Sequence, residues 1–136
     1  MNKKTFTFVL MDAPFENART TTAFRLIQAA ITGGHAVNVF AYEGAVALAF
    51  ANQKQHANAI HGRDAQQEDH PLAKDWISHL MADAAKHDVQ LDWVNCGLCV
   101  DERGVAETVA GVRRGSPVDL WKMVQASDNA LVIATK

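Results

Sequence analysis

Apolar residues recur along this chain with two different periods. Residues 5–11 (TFTFVLM) alternate polar and apolar positions before closing on an apolar triplet. Residues 36–42 (AVNVFAY) and 91–95 (LDWVN) are short apolar runs rich in branched and aromatic side chains. Each predicts a strand. Between them the spacing turns helical. Ala23, Phe24, Ile27, Ala30 and Ile31 fall on one face of a helix that Thr20 or Thr21 can cap and Gly33-Gly34 can stop. The Ala-rich residues 45–51 predict a second helix.

Asp69, His70 and Pro71 open a third helix, whose Leu72, Trp76, Leu80 and Ala84 lie four apart and whose last turn carries Lys86 and His87. Ser116-Pro117 opens a last helix bearing Leu120, Trp121 and Val124, with proline where its missing N–H costs nothing. Residues 129–135 close with a strand, and 105–112 fit a helix or a short strand equally. Strands alternating with helices predict an α/β fold: a three-layer α/β/α sandwich on a mostly parallel sheet of about five strands. The polar stretch 52–70 is long for a loop in a compact domain, which marks it as a functional segment, expected to lie over the strand ends as a cover for the site there.

Composition narrows the partners. The 136 residues are 49% hydrophobic and 21% charged, the balance of one globular domain spanning 1–136. A net charge of −2 argues against nucleic acid or an anionic membrane as the default partner. The apolar N-terminal run is broken by threonines and stops at Asp12 without a small-residue cleavage site, so a signal peptide is not expected. No apolar run is long enough to span a membrane. A cytoplasmic protein is the expectation.

The candidate chemistry lies in WVNCGLCVDERG, residues 93–104, which holds both cysteines of the chain, Cys96 and Cys99. In open α/β sheets the ligand crevice lies beyond the carboxyl ends of the strands, where Cys96, Asp12 and Tyr42-Glu43 all fall. Four readings of the pair stand. A zinc site needs about four ligands, and His56, His61 and His70, spaced five and nine apart, match no standard ligand pair, so no metal is expected. A redox dithiol would use both cysteines. A single nucleophilic thiol would use one, and a helix dipole worth up to ~1 kcal/mol shifts its pKa by only ~0.7 unit. That reading therefore calls for a cation, and Arg103, Arg113 and Arg114 are available. In the fourth reading Cys99 is a small buried hydrophobe. The loop 12–19 contains no glycine, so a flavodoxin-like phosphate cradle is not expected.

Several stretches together carry a family resemblance. Phe40-Ala41-Tyr42-Glu43-Gly44 with Asn52-Gln53, and Cys96 followed seven residues later by Arg103-Gly104 and then Val105-Ala106-Glu107-Thr108, resemble the DsrE/TusD family of sulfur-relay proteins. The resemblance implies a DsrE-like fold and a sulfurtransferase role. Cys96 would accept sulfane sulfur as a persulfide from a donor protein and pass it to an acceptor, with no cofactor. It assigns Arg103 to the family's arginine. Cys99 and Glu102 depart from the family pattern, and Cys99 could release sulfur by forming a disulfide. A homo-oligomer, trimer or hexamer, is implied, and Phe15, Phe50 and Trp121 are candidates for its apolar face. The other readings are a thiol–disulfide redox protein and a non-catalytic subunit of a sulfur-relay complex.

Overall fold

A computed structural model describes residues 2–135. The elements run β1 (Thr5–Leu10), α1 (Arg19–Thr32), β2 (Ala36–Ala41), 3₁₀ helices at Glu43–Ala49 and Ala59–His61, and α2 (Ala65–Glu68). They continue with α3 (Ala73–Lys86), β3 (Leu91–Cys96), α4 (Gly97–Arg103), β4 (Val112–Gly115), α5 (Pro117–Ala126) and β5 (Asn129–Ile133). The five strands form one sheet in the order β4-β3-β2-β1-β5, and every pairing is parallel. Parallel neighbours need crossover connections, which is why helical segments separate each strand from the next along the chain.

Side chains alternate across β3, and that alternation sorts the chemistry. Trp93 points to the face covered by α1 and α3, where Phe24 lies with its ring 5.0 Å from Trp76 and 6.1 Å from Trp93. Val94 points to the opposite face, towards Gly115 and the start of α5. Cys96, two residues on, lies on this α5 side and is the last residue of the strand. Trp93, Phe24 and Phe40 are the largest fully buried side chains.

Four local expectations are corrected. Helix α1 begins at Arg19 on Ala18, which makes no side-chain cap, so neither Thr20 nor Thr21 is the cap. The stretch after β2, Glu43–Ala49, is a 3₁₀ helix rather than an α-helix, and its first residue, Glu43, has a left-handed φ of 50°. Helix α3 begins at Ala73, two residues after Pro71, and the preceding loop forms its own short helix under an Asp64–Gln67 capping box. Between residues 105 and 112 the backbone makes only an isolated antiparallel bridge, Phe50 to Thr108, before β4 starts at Val112. The Ser116 cap and the proline at the first turn of α5 are as expected.

Candidate active site at the strand ends

The chain passes from β3 into α4 at Cys96, which is both the last strand residue and the residue flanking the helix N-terminus. Cys99 follows one turn later. Both thiols are free and buried, at 4% and 7% exposure. They line the same cleft. A second group fixes Cys99: the backbone N–H of Glu43 donates to its Sγ at 3.2 Å. The left-handed φ of Glu43, uncommon for a residue with a side chain, turns that N–H away from the 3₁₀ helix and onto the sulfur.

The thiols open onto a cleft of about 230 Å³ lined by Tyr42, Leu98 and Glu102 on one side and Gly115, Ser116 and Pro117 on the other. Cys96 pairs with Gly115 across the β3–β4 ladder, so two neighbouring strand ends form its mouth. No residue of 52–70 lines this cleft. That loop packs elsewhere: the His70 ring meets Phe15 at 5.2 Å, beside a second, apolar cleft lined by Phe24, Pro71 and Trp76. The expectation that the long loop covers the cysteines is therefore corrected.

The three candidate arginines have different placements. Arg113 is bound on both sides of Asp92 at 2.9 Å and reaches Asp119 at 3.4 Å, which holds its pKa far above the ordinary value. Arg103 donates to the carbonyl oxygen of its own helix at Cys99, 3.3 Å away, and its charge favours the Cys99 thiolate. Arg114 lies against Gly97, the residue after Cys96. A Cβ at Gly97 would come within 2.7 Å of its Nε, so the glycine makes room for the guanidinium. Arg114 also forms a bidentate pair with Asp101 at 2.8 and 2.6 Å, which raises the pKa of the arginine and lowers that of the carboxylate. A thiolate at Cys96 would hold the guanidinium protonated more firmly still. Of the three arginines, Arg114 is the one that packs against the residue following Cys96.

Burial is the main cause that pushes the Cys99 thiol above its ordinary value of 9.0, and its contact with Cys96 adds to this. The Glu43 N–H and Arg103 act in the opposite sense without reversing it. Cys99 is accordingly a thiol at neutral pH. Among the described residues no three His, Cys, Asp or Glu side chains converge to hold a metal. His56 and His70 meet edge to face with ring centres 5.7 Å apart, while His61 bonds to Asn58. Asp12, at the end of β1, is buried and tied to Asn17 at 2.6 Å, in a cleft without a cysteine.

Sequence reasoning reached the cysteines and missed the other wall of their cleft. Gly115, Ser116 and Pro117 belong to the site because β4 lies beside β3. The signal was present in Arg113-Arg114-Gly115, a turn of charge just before a helix cap, but its strand neighbour is not written in the local sequence.

A parallel five-stranded sheet with helices on both faces, carrying a thiol pair where one strand becomes a helix, defines an α/β sandwich with a cysteine site. The family model of the DsrE/DsrF-like family matches residues 4–133, and this chain belongs to that family. Among solved structures it is similar to the ychN protein from E. coli, at 20% identity with a TM-score of 0.67. That match covers 98% of this chain and 100% of the other, and shows a shared fold. No curated protein matches this chain. Among the described residues no helix is long and apolar enough to cross a membrane.

Proposed function

We propose that this chain is a cytoplasmic sulfur carrier that accepts sulfane sulfur on Cys96 and hands it to a cysteine of a partner protein. The observation that carries this reading is the placement of Cys96: a buried thiol at a strand end, opening on a small cleft, with the Arg114 guanidinium packed over the next residue. Membership of the DsrE/DsrF-like family agrees with a sulfur-relay role.

The chemistry is thiol exchange at sulfur. The Cys96 thiolate attacks the outer sulfur of a donor persulfide, the donor's S–S bond breaks, and the donor thiolate leaves. Cys96 is left as Cys–S–SH, which ionises and is passed on by the same step in reverse sense. Arg114 places a positive charge at Gly97, next to Cys96, and Asp101 offsets part of it. Arg103 acts on Cys99 rather than on Cys96.

The test is intact-mass measurement after anaerobic exposure to inorganic polysulfide. A gain of about 32 Da on the Cys96 peptide is expected. An unchanged mass would leave a binding subunit as the better reading.

Activation by Arg114 predicts two opposite effects. Asp101→Asn frees the guanidinium and should raise the rate of Cys96 alkylation at pH 7, whereas Arg114→Gln should lower it. Both groups are exposed, so each change is about two- to fivefold and shrinks with added salt. Equal rates in both variants and the parent would remove Arg114 from the mechanism.

A homo-oligomer belongs to the same proposal. Trp121 (63%), Val118 and Leu98 (71%) are exposed on α5 and α4 beside the cleft, and Phe15 is exposed at a separate place, whereas Phe50 is half-buried. An apolar rim around a reactive thiol suits an interface that shields it. Light scattering at micromolar concentration should give a multiple of 14.8 kDa; a monomer would count against it.

A further inference from the structure

The carrier reading uses Cys96 and leaves a second thiol, one helical turn on and lining the same cleft, without a task. Cys99 is one helical turn away, buried, and held by a backbone N–H that the neighbouring strand end contributes through an unusual backbone conformation. A cysteine that served only as a small hydrophobe would not need a hydrogen bond from Glu43, nor the left-handed residue that supplies it. Nor is its position neutral for the chemistry. Any sulfur loaded on Cys96 must occupy the small cleft that Cys99 also lines.

We propose that Cys99 is a resolving thiol, which converts the Cys96 persulfide into an internal disulfide and releases sulfide when no acceptor protein is docked. The proposal rests on the carrier reading of Cys96. The step needs no outside reagent. The persulfide anion Cys96–S–S⁻ takes the proton of the Cys99 thiol. The Cys99 thiolate then attacks the Cys96 sulfur, the bond between Cys96 and the outer sulfur breaks, and that sulfur leaves as HS⁻. One negative charge is present before and after. Two cysteine sulfurs become a disulfide, and the sulfane sulfur is reduced to sulfide by the same electron pair.

The surroundings suit each part of this step. The Glu43 N–H stabilises the transient Cys99 thiolate, and Arg103 adds a favourable charge from the end of α4. Burial keeps Cys99 protonated until a base arrives beside it, so the resting protein does not consume its own thiols. The leaving HS⁻ departs through the cleft between Tyr42 and Ser116-Pro117. An external dithiol reductant would restore both thiols by exchange through a mixed disulfide. The protein would then have two outlets for one sulfur atom: transfer to a docked cysteine, or release as sulfide.

The experiment loads the full chain with inorganic polysulfide without oxygen, removes the excess by desalting, and follows mass and free sulfide with time. The parent protein should lose its added sulfur, end about 2 Da below the reduced mass, and release about one sulfide per chain. Peptide mapping should find Cys96 joined to Cys99. Cys99→Ser and Cys99→Ala should both hold the adduct at least about tenfold longer and release little sulfide. Two variants are used because either could disturb the buried site, and near-parent melting temperatures would show that neither does. Equal adduct lifetimes in parent and variants would overturn this inference alone, whereas an adduct mapped to Cys99 would overturn the Cys96 assignment and this inference with it. Failure of the folded Cys99 variants to load at all would overturn the carrier reading, and this inference with it.

Discussion

Replacing Cys96 by Ser should lower sulfur loading by about two orders of magnitude or more, because a hydroxyl does not ionise at neutral pH and is a poor nucleophile towards sulfur. The change is close to isosteric, so the effect can be assigned to chemistry. Cys96 is the last residue of β3, and its backbone belongs to the ladder with Gly115 rather than to its side chain. The side chain is 4% exposed, so the hydroxyl enters a small, mostly enclosed space. The change removes little volume, and the stability cost should stay near about 1 kcal/mol. Intact-mass measurement after polysulfide treatment reads the loading, and thermal melting reads the fold. The remaining thiol, Cys99, sits above the ordinary thiol value mainly through burial, so it should not take over at pH 7. A Cys96→Ser variant that loads at the parent rate would move the acceptor role to Cys99 and reverse the assignment. Loading lost together with the fold would instead show Cys96 to be a core residue.

How much of this was legible before the fold was known depends on how local each feature is. Strands β1, β2 and β3 and helices α1 and α3 are marked by periodic apolar positions that bury in the expected way: Ala23, Phe24, Ile27 and Ile31 all face the core. The placement of Cys96 at a strand end followed directly, since the apolar run before it ends there. Strand β4 was not legible. Its four residues are Val-Arg-Arg-Gly, and its two arginines are exposed at a sheet edge, where no apolar alternation is required. Because β4 was hidden, so was the neighbour relation that brings Arg114 to Gly97 and Ser116-Pro117 to the cleft. Spacing alone favoured Arg103, which is seven residues from Cys96; sheet order brings Arg114, farther along the chain, against Gly97, the residue after Cys96. The Glu43 N–H on Cys99 was equally out of reach, because it depends on a positive φ that nothing about glutamate announces. Charge and cysteine spacing thus locate a candidate site, and only the strand order brings Arg114 to it.

The largest loss of stability should come from Phe24→Ala. Phe24 is 1% exposed and stands where three elements meet: its own helix α1, Trp76 of α3 and Trp93 of β3. Truncating a buried phenylalanine costs about 3–5 kcal/mol from lost transfer energy and the void left behind. Each aromatic contact adds about 0.5–1.5 kcal/mol beyond area, and both are lost together. The void cannot easily close from the sheet side, because Trp93 is fixed in a central strand between β2 and β4. It can be relieved only from the apolar cleft beside Trp76, which Phe24 also lines. A fall of roughly 10–20 °C in melting temperature is therefore expected for a domain of this size. Phe24→Leu, which keeps most of the volume, should cost only about 1–1.5 kcal/mol. The comparison also separates packing from chemistry. Phe24 lies on the α1–α3 face and Cys96 on the α5 face, so the folded fraction of Phe24→Leu should load sulfur at the parent rate. A Phe24→Ala protein that melts within a few degrees of the parent would mean that this aromatic joint does not hold the two layers together. In that case α1 would have to be retained by Ala23, Ile27 and Ile31 alone.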